Sequence, residues 1–321
     1  MIHRLPFRSQ IEKSSLTLHN AASAAWSQTM PIAVRHAHTQ PSKSVTFDFS
    51  GHKVLSYTVG LAYWRLSFNN DNHVRTLRMS LTANQPSATQ VTVKVNGEIR
   101  DDSGNNIHVA DSSAEVCCIA IVDSTMDGDV VLSSANGISA GTQSGAITLP
   151  SSTLSINAAF LSGFELAYGS SDNHVLSVEL TTGVSKDGTT DYIKADALMA
   201  DSSGNRATTA KLDAGLLAAN FDTDAVYAVA KPDLQKANGG TVSVEFGKAL
   251  SDAVVLLQDY QVRFSDRDHH VRSIGGGCEK WEVKGTTVQL TDPKAFIWDD
   301  SGKTASSGSS VSLLVVGVPK D

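Results

Sequence analysis

Residues 64–74, WRLSFNNDNHV, return in altered form as residues 164–175, FELAYGSSDNHV, and residues 260–271, YQVRFSDRDHHV. Each copy opens on an aromatic pair four residues apart: Trp64 and Phe68, Phe164 and Tyr168, Tyr260 and Phe264. Each closes on Asp-x-His-Val, at Asp71 to Val74, Asp172 to Val175 and Asp268 to Val271. Downstream comes an acidic turn ending in Ser-Gly, at Asp101 to Gly104, Asp201 to Gly204 and Asp299 to Gly302, with His-to-Gly gaps of 31, 30 and 32 residues. A register that holds to one residue over such distances is the mark of internal repetition, and it has to be settled before any fold is assigned.

Working outward lengthens the unit. Alternating runs precede the aromatic pairs (SVTFDF from Ser44, GAITL from Gly145, TVSVEF from Thr241), and shorter apolar runs precede those (PIAV from Pro31, DVVL from Asp129, AVYAVA from Ala225). Longer apolar stretches close the units, AEVCCIAIV from Ala114, KLDAGLLAANF from Lys211 and SVSLLVVGV from Ser310. The expected organisation is a basic N-terminal arm over 1–30 and three units over 31–123, 124–222 and 223–321. Each unit is close to the size of a small domain, yet short enough to share buried surface with its neighbours.

The period inside a unit is two. Val91, Val93 and Val95 alternate with Thr92 and Lys94, and Leu176, Val178 and Leu180 alternate with Ser177 and Glu179, as in strands with one buried face. Asn96-Gly97, Asp187-Gly188 and Ser301-Gly302 read as turns between such runs. The expected fold is therefore all-β: three tandem antiparallel β-sandwich repeats of about 97 residues behind an N-terminal arm. Helical candidates are confined to residues 9–26 and a turn or two over 231–238, KPDLQKAN. Gly275-Gly276-Gly277 reads as a flexible hairpin tip, since no Lys-Ser/Thr follows it to make a phosphate loop.

Composition sets further bounds. Charged residues make up 18% and hydrophobic ones 41%, enough for small sandwich cores, and no apolar run approaches the length of a membrane-spanning helix. Cys117, Cys118 and Cys278 have no counterparts across the units and read as buried or tolerated thiols, with one of the adjacent pair facing in and the other out. Residues 1–43 carry Arg4, Arg8, Lys13, Arg35 and Lys43 against Glu12 alone, a net of +4 on a chain of −7, so the body is −11. Such an arm, which also holds Leu5, Phe7, Leu16 and Leu18, suits self-association; a Ser-rich targeting segment over 1–26 is the alternative, and no secretory signal is recognisable. An acidic body without a basic stripe gives the repeats no basis for binding nucleic acid.

His73, His174 and His270, with Asp71, Asp172 and Asp268, are the candidate binding residues. A nearby carboxylate can orient an imidazole and raise its basicity. The leading interpretation has each Asp capping its loop through backbone N–H groups, with ligand contact second and a metal third. No cofactor and no metal is assigned, although convergence of the three units on a threefold axis would favour the metal. Acidic turns such as Asp101-x-Ser103-x-Asn105 start like a calcium loop but lack its closing Glu, and read as hairpin turns. The aromatic pairs, evenly spaced on one strand face, read as core, with sugar stacking second. No nucleophile recurs in register with the histidines, so no enzyme is expected.

The order within the third unit, GTVSVEF, YQVRF, HVRSI, WEVKGTTVQL, a turn with Trp298 and Asp299, then SVSLLVVGV, resembles the H-type lectin module. That resemblance covers about 75 residues per unit, and it implies a six-stranded antiparallel sandwich, trimeric association and a possible glycan ligand. No sugar-binding residue carries over. Two functions follow as expectations: a non-catalytic, self-assembling structural protein of a virion, appendage or filament, held by its arm, or a carbohydrate-binding lectin-like adhesin. Either places it in a virion or at a cell surface.

Overall fold

A computed structural model describes residues 32–123, 130–149, 156–169, 171–219 and 229–320. The arm over 1–30, with its candidate helix, lies outside the described residues. The chain is all-β. The first stretch holds β1 (Ile32–Thr39), β2 (Ser44–Asp48), β3 (Val54–Asn72), β4 (Thr76–Ser87), β5 (Gln90–Arg100) and β6 (Ser113–Val122). The second holds β7 (Val130–Ser139), β8 (Thr142–Gln143), β9 (Ile147–Thr148), β10 (Ile156–Ala167), β11 (Ser177–Asp187), β12 (Thr190–Ala200) and β13 (Thr209–Ala219). The third holds β14 (Val229–Ala237), β15 (Thr241–Glu245), β16 (Leu250–Arg263), β17 (Val271–Gly277), β18 (Lys280–Lys284), β19 (Thr287–Thr291), β20 (Lys294–Trp298) and β21 (Ser310–Pro319). Among the described residues no helix is long and apolar enough to cross a membrane.

The sheets do not close within the stretches. Strand order β1-β6-β3-β17-β20 joins three strands of the first stretch to two of the third. Order β2-β5-β4-β10-β13-β7 joins the first to the second, and β14-β21-β16-β11-β12-β8 joins the third to the second. A small sheet, β15-β19-β18, stays within the third. All pairings are antiparallel, and the three junctions, β4 with β10, β11 with β16 and β17 with β3, link the stretches in a closed ring. One sandwich per stretch was the expectation; the three larger sheets each run through two stretches, because a strand's open edge is completed by whichever backbone lies beside it.

A bulge falls at the same place in the central strand of each stretch. The register shifts between Leu61 and Tyr63, between Leu161 and Gly163, and between Leu257 and Asp259, at Ala62, Ser162 and Gln258. An extra residue turns the following side chains to the opposite face. Before the bulge, Phe160 and Leu256 crowd Gly60, where an added Cβ would lie 2.6 Å from both side chains. That inner core is completed by Cys117, Ile119, Leu217, Leu314 and Val316 from all three stretches. After the bulge, Trp64 meets Phe164 at 4.8 Å and Tyr260 at 5.0 Å between ring centroids, within a second, larger core. All six aromatics of the pairs are buried, as expected of core residues.

Four local expectations need correction. Asn96 and Gly97 lie inside β5, paired with Ser80 and Met79, where Gly97 leaves room for Leu66 and Pro41. The segment 231–238 is not helical but mostly part of β14, a bulged strand completing the edge of β21. The glycine triplet is no hairpin tip: it ends β17, between β3 and β20, where a Cβ on Gly275 would strike the Trp64 carbonyl. Cys117 and Cys118 are both buried, because β6 is a central strand with core on both its faces. Burial pushes both thiols up, and Cys278 up to about 12.

Among the described residues several buried side-chain groups lack hydrogen-bond partners, Asp191 and Trp64 among them. Neither carboxylate oxygen of Asp191 nor the Trp64 indole N–H is hydrogen-bonded. Burial raises the Asp191 pKa, against the pull of Lys186. An acid whose pKa is raised on folding is protonated more readily when folded, so its stabilising effect is lost as pH rises through that value. Asp191→Asn should therefore melt like the parent at pH 4 and higher than the parent at pH 7, by thermal denaturation followed by circular dichroism. Trp64→Ala should cost about 3–5 kcal/mol in urea unfolding. Trp64→Phe, which keeps an aromatic ring and removes the unpaired N–H, should cost well under half of that.

Candidate functional site

The three Asp-x-His-Val segments meet where the ring closes. Val74 exchanges backbone hydrogen bonds with Asn173 (2.9 and 3.1 Å), and Val175 does the same with His269 (3.0 and 3.1 Å). Val271 pairs with Asn72 and completes the circuit. In each case the residue after one histidine is bridged to the residue before another, so the intervening side chains are gathered at the centre. The His73, His174 and His270 rings stand 4.5, 4.6 and 4.7 Å apart by centroid, in a nearly equilateral triangle. One donor nitrogen from each lies within 4.8 Å of the other two. Their side chains are about 40% exposed, so the triangle opens to solvent on one side.

The carboxylates serve a neighbour rather than their own histidine. Asp172 faces His73 Nδ1 at 3.4 Å, Asp268 faces His174 Nδ1 at 3.9 Å and Asp71 faces His270 Nδ1 at 3.9 Å. Each is held in turn by an acidic turn of the preceding stretch around the ring. The Asp102 N–H donates to Asp172 Oδ2 (3.0 Å), the Ser202 N–H to Asp268 Oδ2 (3.2 Å) and the Asp300 N–H to Asp71 Oδ2 (3.4 Å). The contact is reciprocal where the turn supplies an Asp: Asp102 accepts the Asp172 N–H (2.8 Å) and Asp300 accepts the Asp71 N–H (2.9 Å). In the middle turn a serine takes that place, and Ser202 Oγ donates to Asp268 Oδ1 at 2.5 Å.

The first Asp of each turn is spent internally. Asp101 Oδ1 accepts the Ser103 and Asn105 N–H groups at 2.9 and 2.8 Å, Asp201 accepts those of Ser203 and Asn205, and Asp299 accepts that of Lys303. Gly104, Gly204 and Gly302 sit at φ +96, +94 and +87°, a backbone that favours glycine. These are hairpin turns closed by their own aspartate.

Electrostatics at the centre favour a neutral His174 and a charged Asp268. Burial lowers the His174 pKa, and the neighbouring His73 and His270 lower it further, against Asp268. Burial works against the Asp268 carboxylate, yet the Ser202 hydroxyl and N–H outweigh it and hold that group below its usual value. Three imidazoles this close cannot all be charged without mutual repulsion. The arrangement thus gathers three imidazoles, each facing a carboxylate, at one point.

Sequence reasoning missed two further groupings. Glu115, buried on β6, accepts His36 Nδ1 at 2.7 Å and faces His38 Nδ1 at 3.5 Å. The signal was His-x-His in the alternating run RHAHT, which places both rings on one face. The other is a groove of about 580 Å³ between the first and third stretches, lined by Tyr63, Arg65, Glu279, Lys294, Phe296 and Trp298. Its three aromatics are half-buried, with Phe296 5.2 Å from Trp298 and 6.1 Å from Tyr63 by ring centroid, and Arg65 lies over Trp298 at 5.0 Å. It joins residues more than 200 positions apart, which no local pattern could reveal.

Comparison of the chain with protein-family models, with curated proteins and with solved structures returned no match. The resemblance to H-type lectins thus rests on sequence pattern alone.

Removing a carboxylate that holds the ring together leaves the donor N–H of the neighbouring turn without a partner. Asp172→Ala should lower stability by about 1–2 kcal/mol, measured by urea unfolding at neutral pH. Asp187→Ala, in the exposed hairpin between β11 and β12, should change it negligibly.

Proposed function

We propose that this chain is a non-catalytic structural protein, three copies of one β-unit of about 97 residues fused and interlocked into a single block, serving as the subunit of a larger assembly such as a virion, appendage or filament. The observation that carries this proposal is the closed circuit of strand pairing, in which each large sheet is built from two stretches. A block made in this way resists mechanical separation of its parts, since pulling any stretch away breaks two sheets. Where ionisable groups converge at its centre, they do so as three copies of one His and one Asp. The three thiols are buried elsewhere, with their pKa values raised, so they are poor nucleophiles. The basic, apolar-studded arm over 1–30 supplies subunit contacts to an acidic body.

A second function, glycan binding, is favoured by the groove between Tyr63 and Trp298. Flat half-exposed rings stack on sugar faces, while Arg65, Glu279 and Lys294 offer hydrogen bonds to hydroxyl groups. Negative-stain electron microscopy of the native protein at high concentration separates the two. Regular particles or polymers that loosen on deletion of residues 1–30 are expected. Monodisperse monomers, together with glycan-array binding abolished by Trp298→Ala, would replace the structural proposal with the lectin-like one.

A further inference from the structure

We propose that His73, His174 and His270 together bind one divalent first-row transition metal ion, with Zn²⁺ the best fit, at the point where the three stretches meet. The three donor nitrogens lie within 4.8 Å of one another, on rings arranged as a near-equilateral triangle. Zinc–imidazole bonds are about 2.0–2.1 Å, so three nitrogens on a tetrahedral ion sit roughly 3.4 Å apart. Closing the triangle to that size moves each nitrogen inward by somewhat under about 1 Å, within reach of small side-chain rotations.

The surroundings are those a metal site requires. Each ring turns Nδ1 toward a carboxylate, Asp172, Asp268 or Asp71, at 3.4–3.9 Å, which leaves the other ring nitrogen to coordinate. A carboxylate behind a ligating imidazole fixes its tautomer and raises its basicity. Those carboxylates are themselves fixed by backbone N–H groups of Asp102, Ser202 and Asp300, so the positioning shell is anchored on the fold. Nitrogen donors select zinc, cobalt, nickel or copper over calcium and magnesium, which take oxygen. Three protein ligands on a face open to solvent leave at least one position for water or an anion.

Such an ion would be held by one ligand from each stretch, so it would act as a clasp on the ring. The test uses full-length protein treated with EDTA and dialysed, then titrated with Zn²⁺ by calorimetry and with Co²⁺ by visible absorption. One equivalent per chain is expected, with the intense visible bands of low-coordinate cobalt. His73→Ala, His174→Ala and His270→Ala should each weaken Zn²⁺ binding at least 10-fold, and Asp172→Asn should weaken it about 10- to 100-fold. Thermal melting of the metal-free variants tells a lost ligand from a lost fold, since the half-exposed histidines should be replaceable without a large fall in melting temperature. His36→Ala with His38→Ala should leave binding unchanged. Absence of Zn²⁺ binding by the parent, or retention of it in the three central variants with loss in the His36/His38 variant, would overturn the proposal.

Discussion

Everything in this molecule depends on backbone pairing between stretches distant in sequence. Val74 with Asn173, Val175 with His269 and Val271 with Asn72 are small contacts in themselves, yet they close the ring from which the long junctions β4–β10, β11–β16 and β17–β3 extend. Unpaired backbone groups buried at these seams would each cost more than a made hydrogen bond returns, so the seams admit no half-formed state. The central histidines are consequences of this closure: they sit between the bridging residues and have nowhere to go but inward.

The bulges decide what the closure encloses. Without the extra residues Ala62, Ser162 and Gln258, a strict alternation would keep each central strand's apolar side chains on one face throughout. With them, a strand feeds the inner core with Gly60, Phe160 or Leu256 and then the larger core with Trp64, Phe164 or Tyr260. The small glycine at one corner and the large indole at another compensate each other: where the first stretch gives up volume at position 60, it supplies more at position 64. Close packing of three non-identical contributions is met by such complementary sizes.

Strand content and the positions that would matter were legible in the sequence, because alternation and recurrence are local signals. The Asp-x-His-Val segments, the aromatic pairs and the acidic turns were all visible, and the structure brings the segments and turns together where the ring closes. The partner of each group was not legible. Asp172 reaches His73 rather than His174, and nothing within a few residues of either could have said so. The same limit explains the glycines. Gly275 to Gly277 has the composition of a loop tip, and only the proximity of the Trp64 and Ala62 carbonyls makes it a strand that must have no side chains. Likewise Cys117 and Cys118 look half-exposed to anyone who assumes a sandwich with one wet face.

The β17–β3 junction also governs the order in which the chain can come to rest. Its partners are about 200 residues apart, so while the chain is being made one edge of β3 stands open until β17 has been made. Long loop closures slow folding, and open strand edges invite pairing with the wrong chain. The first stretch thus waits through the whole of the second before the strands that complete its sheet are made. A ribosome pausing near residue 222 would hold a chain with two junction edges exposed, β3 and β11, both awaiting strands of the third stretch. Ring closure, which makes the finished molecule hard to pull apart, makes its unfinished form the one that a chaperone would have to shield.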